Sequence, residues 1–289
     1  MLSCSRTRRG VCDVTAICRV GEVDDAVVLQ DSTRLILRLM PCDVVFRIAP
    51  VVHHMSAEFE VELAKHLAKA RSPVALLDPR VEPRVHLCDG FAINIWTYYE
   101  RVSRQPVAPA DYARALERLH VGLREIHLVT PHFRDRVAEA QQIAQSRELS
   151  PALSDSDREL LSSRLRDLQR AIVERGAAEQ LLHGEPHDGN VLNTKYGPLF
   201  IDLETSCRGP VEIDIAYAPE AVSEHYPNVD VELLNECRGL CLAMVAAWRW
   251  DRDDQFPDGR RSGDALLRAL RDGPPWSTVD AVCSRPDGP

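Results

Sequence analysis

The spacing of hydrophobic residues changes near residue 100, and this change constrains the fold more than any other feature of the chain. Before it, residues 34–40 and 43–49 form short runs rich in branched apolar side chains, which is typical of β-strands. After Pro109, apolar residues recur at the spacing of amphipathic helices. We therefore expect two lobes, a β-rich one at about residues 1–98 and a helical one at about 99–289.

The first lobe is predicted to be a mostly antiparallel sheet with one inserted helix. A polar break at residues 30–33 separates two strand-like runs, as a hairpin turn would, and residues 84–99 predict a second strand pair. Between the pairs, Ser56 is the expected N-cap of a helix. On this helix, Glu60 lies on the same face as the apolar residues three, four and seven positions later, so one carboxylate shares the apolar face.

The second lobe is predicted to consist mainly of helices, which makes the fold class α+β. Ser154 or Asp155 is the expected cap of one helix, and Gly176 is its expected stop. A short buried strand is expected within residues 197–204, and the many Pro, Gly and Asp residues after about position 275 predict a loose tail. The helices are expected at residues 110–127, 154–176, 231–250 and 264–273.

Composition disfavours several classes of function. The 289-residue chain carries 44 Asp and Glu against 35 Lys and Arg, a net charge of −9, which argues against a nucleic-acid partner and suits a cationic small molecule. Its nine cysteines include no C-x-x-C pair, which disfavours structural zinc. No apolar run reaches membrane-spanning length, and no apolar segment follows the basic N-terminal residues, so we expect no signal peptide, no membrane partner and a cytoplasmic location.

One stretch, LLHGEPHDGNVLN at residues 181–193, concentrates polar chemistry between apolar runs. Because a proline and a glycine interrupt it, Glu185 and Asn190 must lie on a loop. Asp202 follows a short strand signal that would deliver it beside the same loop. One carboxylate as a base, with an amide oxygen and a second carboxylate as hard ligands, is what magnesium-dependent phosphoryl transfer requires. Taken alone, the stretch has a simpler interpretation as a surface turn.

The motifs around this stretch resemble those of a known family. Protein kinases carry H-R-D-x-x-x-x-N and then D-F-G. More closely, HGEPHDGNVL and FIDLE resemble the H-G-D-x-H-x-G-N-x-L and I-D-[FLW]-[DEG] motifs of the aminoglycoside phosphotransferase family, which includes choline and homoserine kinase relatives. RGPVEIDIAY (residues 208–217) is similar to its G-P-x-x-x-D-L-A segment, and LERLHVGL (residues 116–123) to its L-x-x-L-H helix.

The resemblance extends from about residue 30 to about residue 250 and implies a fold and an activity. The implied fold is the protein-kinase-like two-lobed one, with a small antiparallel β lobe that binds nucleotide and a larger, mainly helical lobe for catalysis and acceptor binding. The implied activity is transfer of the γ-phosphoryl group of ATP or GTP, with Mg²⁺ as cofactor, to a hydroxyl group of a small molecule. An aminoglycoside or another antibiotic is one candidate acceptor.

The resemblance also implies the residues that perform the chemistry. Glu185 takes the position of the catalytic base, and Asn190 and Asp202 take the positions of the Mg²⁺ ligands. Arg47 stands where kinases place a lysine on the nucleotide phosphates, and Glu60 is the best match to the partner of that lysine. Arginine keeps the charge of lysine but differs from it in reach and geometry.

The remaining implied residues surround these five. The nucleotide base is expected against the linker at Trp96, Thr97 and Tyr98, and Ser32 and Thr33 stand where a glycine-rich loop would be. Four others complete the set of implied residues: His183 as a residue that steadies the loop, Asp214 as a structural aspartate that bonds the backbone, and His187 and Glu204 as acceptor-binding residues.

The main departure from the family pattern is Glu185, which stands where the motif has Asp. Glutamate is one methylene longer, so it serves as a base only if the loop is set back to match. The alternative is a catalytically silent relative that binds nucleotide or ligand as a sensor. An atypical protein kinase is less favoured, because only six residues (203–208) separate Asp202 from the GPVEID segment. A zinc deaminase is disfavoured, because no P-C-x-x-C follows His183-x-Glu185.

Overall fold

The computed structural model describes residues 24–31, 34–102 and 105–284. Its described residues form two compact units. The first unit comprises the residues before position 105 together with residues 192–204, and the second comprises residues 105–191 and those from position 205 onward.

The first unit contains a five-stranded antiparallel sheet, in the spatial order β1-β2-β3-β5-β4. In β3, alternate side chains such as those of Phe46 and Ile48 point into the core of the unit, where they are fully or almost fully buried. Arg47 lies between them and pairs across the sheet with Asn94 of β5. The strands of the chain are β1 Asp25–Asp31, β2 Leu35–Met40, β3 Val44–Pro50, β4 His86–Cys88, β5 Phe91–Thr97, β6 Gln180–Leu181, β7 Val191–Thr194, β8 Gly197–Phe200 and β9 Arg208–Gly209.

The helices follow the predicted pattern in most places. The longer ones predicted in the second lobe are present, with Ser154 as the side-chain cap of one of them. The helices are α1 His54–Lys69, α2 Pro109–Arg124, α3 Phe133–Gln145, α4 Asp155–Glu174, α5 Val211–Tyr217, α6 Val231–Arg249, α7 Gly259–Asp272 and α8 Val279–Cys283. In the part of the chain that the structure describes, no helix is long and apolar enough to span a bilayer. The predicted α+β fold class is confirmed.

Two local predictions were wrong. Ser56 is not an N-cap, because a 3₁₀ turn at Val51–His53 leads the chain directly into α1 and helical bonding begins before Ser56 is reached. Residues 276–284 do not form a loose tail, because Trp276 is buried and its backbone N–H donates to Asn235 Oδ1 at 2.8 Å. The last five positions of the predicted tail lie outside the described residues. The next turn of chain is α8, which begins after Thr278 as a side-chain cap.

Candidate active site

The loop at residues 183–190 is held at its start by backbone pairing in the second unit. Strand β6 pairs with β9, and the Leu182 amide donates to the Cys207 carbonyl at 2.8 Å. Gly184 has φ of +95°, and a Cβ at this position would collide with the Thr205 carbonyl. Glycine is therefore required here both by the left-handed backbone and by the close approach of a neighbouring segment.

Asp214 at the start of α5 holds the same part of the loop. Its carboxylate is fully buried and accepts hydrogen bonds from the backbone amides of His183 and Gly184, each at 2.8 Å. His120 of α2 faces it, with Nε2 at 2.9 Å from Asp214 Oδ2. Burial would raise the pKa of Asp214, but the hydrogen bond and charge of His120, the charge of His183 and the Gly184 amide together lower it. His120 and Asp214 are therefore structural residues beneath the loop.

Glu185 and Asn190 are fixed to one another by the turn between them. The Asn190 side-chain NH₂ donates to the Glu185 carbonyl at 3.0 Å, and the Asn190 amide donates to the His187 carbonyl at 2.9 Å. Tyr112 of α2 donates to the Pro186 carbonyl from a buried position. Because the Asn190 NH₂ is committed to the backbone, its side-chain oxygen is the end left to bind a ligand.

The Glu185 carboxylate forms an ion pair with a residue that the sequence motifs do not include. Arg136 of α3 donates to Glu185 Oε1 and, at 3.0 Å, to the Gly184 carbonyl. The Glu185 side chain is 23% exposed and that of Arg136 is 14% exposed. Burial would lower the pKa of Arg136, but the charges of Glu185, Tyr217 and Cys207 and the hydrogen bond to Glu185 together raise it.

His187 and a residue from the C-terminal helix form a second feature near this loop. His187 Nδ1 accepts a hydrogen bond from the Gly189 amide at 3.1 Å, which orients the ring. Asp280 of α8 interacts electrostatically with His187 and Asp188. Burial raises the pKa of Asp280, as does the charge of Asp188, whereas His187 lowers it. The prediction of a loose tail concealed Asp280, because it placed this residue outside the folded part of the chain.

In the first unit, one arginine binds two carboxylates. Arg47 of β3 donates to Glu60 of α1 through Nη1 and to Asp202 through Nη2, the latter at 2.7 Å. Burial would lower the pKa of Arg47, but the charges of both carboxylates raise it. The structure thus pairs Arg47 with Glu60, and the same guanidinium also reaches Asp202.

Glu60 is the most deeply buried member of this group. Besides Arg47, it accepts hydrogen bonds from the Leu203 amide at 3.1 Å and from Asn94 Nδ2 at 3.2 Å. Burial raises the pKa of Glu60, and Arg47 offsets part of that effect. Glu60 is fully buried, as its place on the apolar face of the helix predicts.

A second arginine, Arg34, lies directly before β2 and contacts both Asp202 and Glu204. Arg34 forms an ion pair with Glu204, and its Nη1 lies 3.8 Å from Asp202 Oδ1. Asp202 has φ of +67°, an uncommon conformation for a residue with a side chain. Ser32 and Thr33, the residues predicted at the glycine-rich-loop position, lie outside the described residues.

The linker residues predicted to meet the nucleotide base lie at the end of β5. Trp96 is buried, and the backbone amides of Thr97 and Tyr98 donate to the Leu76 and Asp43 carbonyls at 2.9 and 3.0 Å. Those two amides are therefore committed within the first unit. A nucleotide base at this segment would pair with other backbone groups of the linker.

The chemistry of the donor groups suits magnesium better than zinc. Asn190 offers an amide oxygen and Asp202 a carboxylate, which are hard ligands of the kind that Mg²⁺ takes together with water and substrate phosphates. Within residues 24–31, 34–102 and 105–284, no three His, Cys, Asp or Glu side chains group into a metal site. Asn190 belongs to the second unit and Asp202 to the first.

The two units define a protein-kinase-like fold. It is shared with an amicoumacin kinase in complex with AMP-PNP, Ca²⁺ and Ami (TM-score 0.72, 12% identity, 96% of this chain and 98% of that chain covered). It is also shared with a choline/ethanolamine kinase family protein from Mesorhizobium loti (TM-score 0.65, 18% identity, 96% of this chain and 98% of that chain covered). A third such structure is the GDP complex of an aminoglycoside 2′-phosphotransferase (TM-score 0.68, 13% identity, 92% of this chain and 97% of that chain covered). No curated protein matches the sequence.

The family is shown by sequence as well. The profile of the phosphotransferase enzyme family APH matches residues 20–270, and the chain belongs to this family. The resemblance predicted from the loop motifs is thereby confirmed. The family and the structural neighbours together indicate a small-molecule kinase.

Proposed function

We propose that the protein transfers the γ-phosphoryl group of ATP or GTP to a hydroxyl group of a small molecule, with Mg²⁺ as cofactor. The observation that carries the proposal is the loop at residues 183–190, in which Glu185 and Asn190 occupy the family's motif positions and are hydrogen-bonded to one another. The nucleotides named for the structural neighbours, AMP-PNP and GDP, support a nucleotide donor.

Glu185 acts as the base in this proposal. Its partly exposed carboxylate takes the proton of the acceptor hydroxyl, whose oxygen then forms the new bond to the γ-phosphorus while the bond to the leaving nucleoside diphosphate breaks. A positioned general base contributes about 10²–10⁴ in rate. The loop that carries Glu185 is rigidly anchored through Asp214, as such positioning requires.

The first unit would bind the nucleotide. Arg47, held by Glu60, steadies the phosphates, and the linker at Trp96, Thr97 and Tyr98 takes the base. Ser32 and Thr33 would contribute hydroxyl groups and amides over the phosphates. Arg34 adds a second guanidinium near Asp202, which supports an anionic ligand at this end of the sheet.

Asn190 and Asp202 would hold the Mg²⁺ ion. Their oxygen atoms match its preference, and the orientation of the Asn190 amide leaves the oxygen for that purpose. When bound, the ion would neutralise the charge that develops on the phosphates.

His187 and Glu204 are the proposed acceptor-binding residues. The net charge of −9 suits an acceptor that carries amino groups, and kanamycin, named for one structural neighbour, is such a molecule. Aminoglycosides and other antibiotics therefore lead the panel of acceptors to be tested.

The second candidate, a silent nucleotide-binding sensor, is favoured by one observation. The Glu185 carboxylate is already engaged by Arg136, so a substrate hydroxyl must share it. Turnover distinguishes the two candidates, because a sensor binds Mg-nucleotide but transfers no phosphate.

The experiment combines a binding assay with a transfer assay. Purified protein is titrated with Mg·AMP-PNP by calorimetry, and phosphate transfer from ATP and GTP is followed by mass spectrometry across aminoglycosides, other antibiotics and metabolic alcohols. Glu185→Gln and Asp202→Ala should abolish transfer, whereas Glu174→Gln, at an exposed helix end, should not alter it. Equal transfer by wild type and Glu185→Gln would refute the base assignment. Absence of Mg-nucleotide binding would refute the whole proposal.

A further inference from the structure

The departure of Glu185 from the family motif coincides with a contact that no motif contains. Arg136 comes from α3, 49 residues before Glu185, and its Nη2 donates to Glu185 Oε1. Its Nη1 donates to the Gly184 carbonyl at 3.0 Å. One guanidinium therefore binds both the backbone of the loop and the carboxylate that departs from the family pattern.

Arg136 is itself fixed from several sides. Its guanidinium carbon lies 5.1 Å from the centre of the Trp248 ring, and it interacts electrostatically with the buried Cys207 side chain. Helix α3, which carries Arg136, begins with a capping box. The His132 side chain accepts a hydrogen bond from the Arg134 amide, and the Asp135 side chain accepts one from the His132 amide. Arginine also retains its charge at any working pH. The cation beside Glu185 is therefore permanent, and its guanidinium is held by several contacts.

The two oxygen atoms of Glu185 are distinguished by this contact. Oε1 accepts from Arg136, whereas no group of the described residues donates to Oε2. A glutamate side chain has one more torsion than aspartate, so without an anchor its carboxylate would sample several rotamers. Binding of Oε1 by a fixed guanidinium removes that freedom and leaves the second oxygen in a defined place.

We propose that Arg136 is the positioning residue of the Glu185 base, and that this ion pair is what allows glutamate to replace the aspartate of the family motif. The inference rests on the proposed phosphotransfer activity. Oε1 is the anchored atom and Oε2 accepts the proton of the acceptor hydroxyl. Glu185 and Arg136 thus form a matched pair, in which neither residue can be shortened without loss.

The ion pair between Glu185 and Arg136 leads us to expect that Glu185→Asp lowers the rate. This substitution restores the residue of the family motif, yet it withdraws the carboxylate by about one carbon–carbon bond, roughly 1.5 Å. The contact with Arg136 is then lost, and a misplacement of about 1 Å is enough to cost roughly 10²-fold in rate. We therefore expect kcat of Glu185→Asp to fall by about 10–100-fold.

The experiment measures kcat and the KM values for nucleotide and acceptor in a set of variants. Arg136→Gln removes the charge and should lower kcat about 100-fold with little change in the KM for nucleotide. Arg136→Lys keeps the positive charge but not the planar set of donors of the guanidinium, so its kcat should lie between those of wild type and Arg136→Gln. Arg134→Gln, at an exposed position on the same helix, is the matched control and should retain wild-type kcat.

The outcomes separate this inference from the proposed function. If the wild type transfers phosphate and Glu185→Gln does not, the base assignment stands. The inference is then refuted by wild-type kcat in Arg136→Gln, or by kcat in Glu185→Asp equal to or above that of wild type. Absence of transfer by the wild type would instead refute the proposed function. Near-UV circular dichroism checks folding, and if Arg136→Gln does not fold, Arg136→Lys and Glu185→Asp decide the matter.

Discussion

Replacement of Asp214 by asparagine tests how the candidate catalytic loop is held. Oδ1 of Asp214 accepts from the Gly184 amide, and Oδ2 accepts from the His183 amide and faces His120 Nε2. Asparagine has the same shape but only one oxygen, so one of these donors must face an NH₂ group instead. A hydrogen bond to a charged group contributes about 1.5–3 kcal/mol, and an unsatisfied buried amide costs about 1–3 kcal/mol.

Because these two contributions overlap, we expect Asp214→Asn to lower the free energy of unfolding by about 2–4 kcal/mol. That is a large part of the roughly 5–15 kcal/mol by which a typical protein is stable. Urea unfolding followed by far-ultraviolet circular dichroism measures it as a lower midpoint with an unchanged m-value. Asp167→Asn is the control, because Asp167 forms only an exposed ion pair with Arg170 and its replacement should change stability by less than about 1 kcal/mol.

The pH dependence of the stability difference between wild type and Asp214→Asn provides a second check. The pKa of Asp214 is lower in the folded protein than its ordinary value. Its stabilising contribution is therefore fully present above the pKa of the unfolded chain, about 3.9, and is lost as the pH falls through the lower folded value. The stability difference between wild type and Asp214→Asn should be constant above about pH 5 and should narrow only under more acidic conditions. A midpoint for Asp214→Asn equal to that of Asp167→Asn would refute the reasoning.

Three further predictions follow from the packing. Gly184→Ala and Gly197→Ala each place a side chain at a φ of +95°, but only the Cβ at position 184 would collide with a neighbour. Thermal denaturation should therefore show a much larger decrease in melting temperature for Gly184→Ala, and equal decreases would contradict this. Arg47→Ala leaves the buried Glu60 without its cation and should cost about 3–5 kcal/mol in urea unfolding, whereas a cost below 1 kcal/mol would show that the pair is not needed. Trp276→Ala should cost about 3–5 kcal/mol and increase proteolysis near the C-terminus, and an unaffected midpoint would mean that the segment is not packed.

Sequence reasoning succeeded where the contacts are local. Glu60 lies on the apolar face of α1 because the helical period placed it there, and a buried carboxylate requires a cation, which Arg47 supplies. Asn190 and Glu185, which also contact each other, are only five positions apart on the same loop. Local spacing placed Glu60 on the buried face and Asn190 on the loop of Glu185, whereas the partnership of Glu60 with Arg47 was implied by the family resemblance.

Sequence reasoning failed where the deciding contact is distant or the signal unusual. Helix α3 was not predicted, because its side-chain cap is His132, whereas Ser, Thr, Asp and Asn are the usual start signals. The C-terminal segment has the composition of a loose tail, but the burial of Trp276 over Gly239, 37 positions earlier in the chain, and its hydrogen bond to Asn235 make it part of the fold. Neither contact leaves a periodic pattern in the sequence.

The same distinction explains why the role of Glu185 could not be decided from the sequence. Motifs recognise carboxylates by their place on a loop, because the backbone fixes that place within a few residues. The counter-ion of a carboxylate needs only charge and reach, so it can come from anywhere: Arg136 lies 49 positions before Glu185, and Arg47 lies 155 positions before Asp202. The chemistry of each carboxylate nevertheless depends on that counter-ion. Whether a glutamate can serve in place of the motif's aspartate is therefore a question about α3, a helix outside every motif in the chain.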